Sequence, residues 1–156
     1  MSETKIIGWA DKYHQAFIDL SVEWLEKYVS VEPTDLEILH HPYESVLNNG
    51  GEIFFALIDD EVVGTVAMIR IDNGFELAKL AVTERHKGKK IGNLLMQRCI
   101  TFAKEKGVDK VILYTNHKLV PAICLYKKFG FCEVDIGCNK YIESDMKMEL
   151  KINGND

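Results

Sequence analysis

Apolar and polar residues recur along this chain with two different periods, and the changes of period divide it into elements. Thr4–Trp9 reads as a short strand. From Asp11 to Tyr28 the apolar residues Tyr13, Phe17, Leu20, Trp24 and Leu25 return at helical spacing, with Asp11 where an N-cap belongs. Beyond Pro33, Thr34 or Asp35 is placed to cap a short helix through Leu39. His40-His41-Pro42 ends it, and another short helix is expected over Tyr43–Leu47. The turn cluster Asn48-Asn49-Gly50-Gly51 introduces three strands, Glu52–Ile58, Val62–Ile71 and Phe75–Val82, joined by Asp59-Asp60 and Asp72-Asn73-Gly74 in antiparallel hairpins. The helical period then returns. Ile91, Leu94, Leu95, Cys99, Phe102 and Ala103 share one face of a helix that Gly107 terminates. Val108–Thr115 is β-rich, Val120–Phe129 is a shorter helix ended by Gly130, and Phe131–Val134 and Asp145–Leu150 are further strands. A meander followed by βαβαβ predicts an α/β layer domain with a mixed sheet.

The richest stretch for chemistry runs from Glu76 to Gly92. A strand enters a basic turn, Lys87-Gly88-Lys89-Lys90, and the turn opens the long amphipathic helix. Amides at a helix N-terminus lack intrahelical acceptors, and the helix dipole adds partial positive charge there. Glycines let the main chain approach an anion, and three lysines add full charges, so the loop suits a pyrophosphate. A solvated basic turn that merely caps a helix is the alternative. The spacing is not GxxxxGK[ST], which argues against an ATPase, and GxGxxG is absent, which argues against a dinucleotide fold.

With its strand, this loop resembles the central motif of GNAT-superfamily N-acetyltransferases, [RQ]-x-x-G-x-[GA], which falls on Lys87-Gly88-Lys89-Lys90-Ile91-Gly92. Lys87 replaces Arg or Gln, and Lys90 replaces the middle glycine, so Lys90 must adopt whatever backbone angles glycine normally supplies. Downstream, Ala122-Ile123-Cys124-Leu125-Tyr126-Lys127-Lys128-Phe129-Gly130-Phe131 is similar to the family's A-x-x-L-Y-x-x-x-G-F signature. The resemblance spans roughly Gly51 to Val134. It implies one acetyltransferase domain over residues 1–156, an α/β (α+β) GNAT-type fold whose mixed, largely antiparallel sheet has six to seven strands, and helices on both faces. It also implies acetyl-CoA as co-substrate, contacted by Leu80, Ala81, Val82, Lys87, Gly88, Lys89, Lys90, Ile91, Gly92 and Tyr126.

Asn often precedes the family's tyrosine by seven residues. This chain has Leu119 there, and Asn116 is expected to make the cofactor contact instead. Where some members carry a catalytic Glu on the preceding strand, this chain has Tyr114. The resemblance makes Tyr126 the candidate acid for the leaving sulfur, where residue chemistry alone favours a packing tyrosine. Glu76 is the candidate base, placed by strand alternation on one face with Ala78, Leu80 and Val82. A solvated glutamate is the competing reading. The Val82 amide, beside an expected bulge, is the candidate oxyanion donor. The acceptor pocket is expected between Tyr13 and Tyr43 and in the tail from Cys138 to Ser144.

The remaining features narrow the function. The chain has 156 residues, 47% apolar and 28% charged, with a net charge of -5. That balance disfavours nucleic acid and anionic membrane, and the brief basic patch His86–Lys90 does not reverse it. No signal peptide or membrane-length apolar run is visible, so a cytoplasmic setting is expected. Cys99, Cys124, Cys132 and Cys138 form no CxxC pair and read as buried thiols. No metal motif or Ser-His-Asp order stands out, and His40, His41 and His117 read as loop or surface residues. The acceptor is a small-molecule or peptide amine, and a homodimer stays open. A catalytically weak acyl-CoA sensor or partner-binding module is the alternative.

Overall fold

The computed structural model describes residues 3–86 and 90–152. Strands β1 (Thr4–Ile7), β2 (Glu52–Ile58), β3 (Glu61–Ile71), β4 (Gly74–Val82), β5 (Lys110–Thr115), β6 (Cys132–Val134) and β7 (Met146–Lys151) form one sheet in the order β1-β2-β3-β4-β5-β7-β6. Only β4 and β5 pair in parallel; every other neighbouring pair is antiparallel. The helices are α1 (His14–Tyr28), α2 (Pro33–His40), α3 (Pro42–Ser45), α4 (Ile91–Lys106) and α5 (Val120–Lys128).

Alternation on the central strands divides the interior into two cores. Phe54, Ala56, Val66 and Met68 face α4 and join Leu95, Cys99 and Phe102, while Ile53, Phe55, Ala67 and Ile69 face the opposite way and meet Phe17 of α1 and Ile38 and Leu39 of α2. The sheet is therefore covered on both faces, as the sequence pattern predicts. Asp59 and Asp60 both adopt left-handed φ, 52° and 66°, the geometry that matches a two-residue turn to the twist of β2 and β3. A side chain on Gly74 would start 2.2 Å from the Lys110 carbonyl oxygen, so glycine there lets β4 and β5 meet.

Three local expectations change. Asp11 does not cap α1: it opens a 3-10 turn, and its carboxylate accepts from Trp9 Nε1 (2.7 Å) and Tyr43 Oη (2.5 Å). Neither Thr34 nor Asp35 is the N-cap of α2. Glu32 takes that place, and the Asp35 carboxylate reaches back to accept the Glu32 amide at 2.8 Å. Of the four cysteines only Cys99 is buried; Cys124, Cys132 and Cys138 are exposed. Cys124 misleads because it directly follows Ile123, but the buried face of α5 runs through Ile123 and Tyr126, and one step along the helix turns Cys124 about 100° away from it.

Candidate active site

The site begins with a bulge in β4. Thr65 of β3 faces Ala81 and Ala67 faces Ala78, so Val66 alone stands opposite both Lys79 and Leu80. Lys79 takes φ 58°, a left-handed conformation unfavourable for a residue with a side chain. The extra residue resets strand parity. Phe75 and Leu77 pack with the α4 core and Ala78 with the α1–α2 core, after which Leu80 and Val82 return to the α4 side. Glu76 therefore does not share a face with Leu80 and Val82. Simple alternation fails because one residue has been inserted, and a lysine at that position gives no glycine signal.

Beyond the bulge the sheet forks. Parallel pairing between β4 and β5 ends at Glu76 and Ile112, yet β4 continues to Val82 and β5 to Thr115. The Thr83 amide donates to the Val63 carbonyl at 2.9 Å. Alternation then turns the Val82 amide away from β3, into the fork.

An open cleft of about 540 Å³ lies outside the fork, lined by Trp24, Tyr28, Leu80, Val82, Lys90, Ile91, Gly92, Asn93, Leu125 and Tyr126. It meets the first turn of α4, whose leading amides have no acceptor within the helix. Lys90 sits at the N-cap with φ 61° and ψ 24°, so the lysine does adopt the left-handed angles foreseen for it. Among the described residues, a side chain added at Gly92 would find one neighbour, Leu125 Cδ2 at 3.5 Å, an ordinary contact. Packing among the described residues thus does not demand this glycine, which lines the cleft without a side chain. An extended anion-bearing cofactor fits these features. Lys87, Gly88 and Lys89 lie outside the described residues.

Inside the fork is a smaller chamber of about 110 Å³. Trp24, Leu80, Leu119 and Tyr126 line both spaces and mark the passage between them. Burial pushes the Tyr126 phenol up to about 12, so it keeps its proton across the neutral range. Glu76 lines the chamber with only 2% of its surface exposed, which removes the solvated-glutamate reading. Its carboxylate accepts from Tyr141 Oη at 2.7 Å and pairs with Lys140 Nζ at 2.8 Å. Burial, reinforced by the charge of Glu76, raises the Tyr141 phenol and keeps it a donor.

The chamber's outer wall is a strap between β6 and β7. Glu32 accepts the amides of Ile142 (2.8 Å) and Glu143 (2.9 Å), and Asn116 Nδ2 donates to the Glu143 carbonyl at 2.6 Å. Beneath it Lys79 forms a buried ion pair with Asp35. That pairing accounts for the bulge's unusual residue: the turn of the chain aims the lysine at the carboxylate of α2.

The structure brings Glu76, Leu80, Ala81, Val82, Lys90, Ile91, Gly92 and Tyr126 around the two connected spaces. Asn116, the expected substitute cofactor contact, lies deeper than the cleft. It lines the inner chamber rather than the cleft, and its amide is committed, Nδ2 to the strap and Oδ1 to the Lys118 amide at 2.9 Å. His117 is exposed and pairs with Asp145. Ser21, Lys79, Lys140 and Tyr141 take part here without any individual mark in the sequence, where Trp24 reads only as one residue of the apolar stripe of α1. Nothing in a single sequence signals them, because each acquires its place through contacts more than forty positions away or through the packing of α1. Among the described residues no cluster of His, Cys, Asp or Glu could hold a metal, and no helix is long and apolar enough to cross a membrane.

The model of the Acetyltransferase (GNAT) family matches residues 14–131, which contain the bulged strand, the loop into α4 and the α5 signature. The chain belongs to the GNAT acetyltransferase family. N-acetyltransferase family 8 member 2 of Rattus norvegicus is 31% identical over 94 residues, 56% of this chain and 42% of that protein. The chain therefore spans less than half the length of that relative. Among solved structures, a GNAT-family acetyltransferase of Staphylococcus aureus Mu50 superposes with a TM-score of 0.88 at 24% identity, covering 96% of this chain and 99% of the other. The PaiA N-acetyltransferase of Thermoplasma acidophilum, solved in complex with coenzyme A, gives 0.74 at 22% identity over 96% and 99%. These likenesses establish a GNAT fold, with the seven-stranded mixed sheet and helices on both faces.

Proposed function

We propose that this GNAT protein is an acetyl-CoA-dependent N-acetyltransferase that moves an acetyl group directly onto a primary amine in a ternary complex. The observation that carries the reading is the fork itself: an open cleft and a carboxylate-lined chamber meet at Tyr126. The PaiA structure, solved in complex with coenzyme A, supports coenzyme A as the cofactor of this fold.

In this reading the α4 amides with Lys90, Ile91 and Gly92 hold the pyrophosphate, together with the predicted contacts Lys87, Gly88 and Lys89. Main chain of Leu80, Ala81 and Val82 aligns the pantetheine arm along the fork. Acetyl-CoA supplies a thioester, an acyl donor whose thiol has a pKa of about 8.5 and is a tolerable leaving group. An alkylammonium has a pKa of about 10 and cannot attack until it loses a proton. Glu76 receives that proton, directly or through a water. The amine nitrogen then bonds to the acetyl carbon, the Val82 amide steadies the developing oxyanion, and the carbon–sulfur bond breaks as Tyr126 gives its proton to sulfur; the nitrogen's remaining extra proton returns to the Tyr126 phenolate, leaving the neutral amide and the free thiol. Holding both reactants at the passage supplies much of the acceleration through proximity.

Calorimetry with acetyl-CoA and free-thiol release over a panel of amines and peptides test the proposal together. Heat on mixing and thiol release that depends on the amine are the expected results. Tight binding with no release from any acceptor would favour the sensor alternative, and absence of binding would reject both.

A further inference from the structure

We infer that the acceptor is a short aliphatic diamine, a dication, rather than a monoamine or a peptide terminus; the inference rests on the transferase reading above. Four carboxylates line the inner chamber, those of Glu32, Asp35, Glu76 and Glu143, against the lining ammonium of Lys79 and that of Lys140, which reaches Glu76 from the strap. Lys79 neutralises Asp35. The partners of Glu32 are backbone amides and that of Glu143 is the Ser30 hydroxyl. Neutral donors satisfy hydrogen bonding but leave the charge in place, and partial burial weakens screening by salt. Glu23 and Glu26, by contrast, are exposed and contribute little.

Two independent observations point to the ligand. Lys140, an otherwise exposed residue from the strap, already lays a primary alkylammonium on the buried Glu76 carboxylate at 2.8 Å. The base is thus shaped for the group an alkylamine would bring. Lys140 leaves that position when the acceptor's reacting ammonium takes it, and Glu76 then accepts the proton from the acceptor. Second, Ser21 lines the chamber with 2% of its surface exposed, and its hydroxyl has no hydrogen-bond partner among the described residues. A buried hydroxyl without a partner is costly, and a polar group of a bound acceptor would satisfy it. With Lys140 displaced, one substrate cation answers Glu76, while Glu32 and Glu143 remain for a second. The space of about 110 Å³ admits a slender chain and is too small for several peptide residues.

The test measures thiol release by the unaltered protein with a short linear diamine, the monoamine of equal chain length, the amino acid that carries a carboxylate in place of the distal amine, and a short peptide with a free N-terminus. The diamine should exceed the monoamine at least tenfold in kcat/KM, about 1.4 kcal/mol, and the amino acid should be poorest. Glu143→Gln should move the diamine-to-monoamine ratio toward one, and Ser21→Ala should raise KM for the diamine more than it lowers kcat. A monoamine as good as the diamine, or a peptide better than both, overturns this inference and leaves the transferase reading intact. Silence from every acceptor, with acetyl-CoA still bound, overturns both.

Discussion

The cleft and the chamber lie on either side of one tyrosine, yet they are built by different means. The cleft uses main chain, the start of α4, a bare glycine and the free edge of a forked strand, flanked by side chains of α1 and α5. The chamber uses side chains from α1, α2, β4, β5 and the strap, linked by Asp35–Lys79, Glu76–Tyr141, Glu76–Lys140 and Glu32 to the strap amides. A cofactor common to a whole family can be held by backbone, which tolerates changes such as Lys90 for glycine. An acceptor that differs between members needs side chains, which vary independently of the fold. The same division separates what is cheap to alter from what is not.

Removing the tyrosine at the passage should have the largest effect. Tyr126→Phe is expected to lower kcat by about a hundredfold or more, within the range for loss of a general acid, with acetyl-CoA affinity unchanged. Equal rates for variant and parent would remove the phenol from the mechanism. The same variant carries a signature in alkali. An unfolded tyrosine ionises near pH 10, whereas the buried phenol holds its proton to about 12. Stability from this group is therefore intact below pH 10 and falls by up to about 3 kcal/mol as pH rises through that window. Alkaline unfolding followed by circular dichroism should be shallower in Tyr126→Phe.

Lys79→Met should come next, and it acts on the chamber. It leaves the Asp35 carboxylate buried without its cation, at a cost of about 3 kcal/mol in denaturant unfolding. A variant as stable as the parent would show that the ion pair does not hold the bulge. The smallest effect should fall on the cleft. Gly92→Ala places a methyl group where protein packing has room, so thermal stability should change by less than about 1 kcal/mol while the Kd for acetyl-CoA rises about tenfold. A loss of stability without loss of affinity would mean that this glycine serves folding and not the cofactor.

The strands, the long helix and its Gly107 stop were legible because each leaves a local mark: a period of two, a period near 3.6, or a residue suited to left-handed φ. Glu52–Ile58 agrees with its expected bounds to the residue. The end of β4 and the start of α4 were legible for the same reason, since they lie close together in sequence. The surroundings of Asn116 were not legible, because its amide bonds the strap across 27 positions.

What the amino-acid order determined alone was the family, through its two motifs, and the layered sheet and long helices, through short-range periodicity and turn chemistry. The tertiary structure decided the bulge at Lys79, the face on which Glu76 emerges, and the partners that hold it. A strand's parity depends on how many residues its neighbour matches against it, and a buried charge is stable only where a distant segment supplies its partner. Neither quantity exists until the chain has folded.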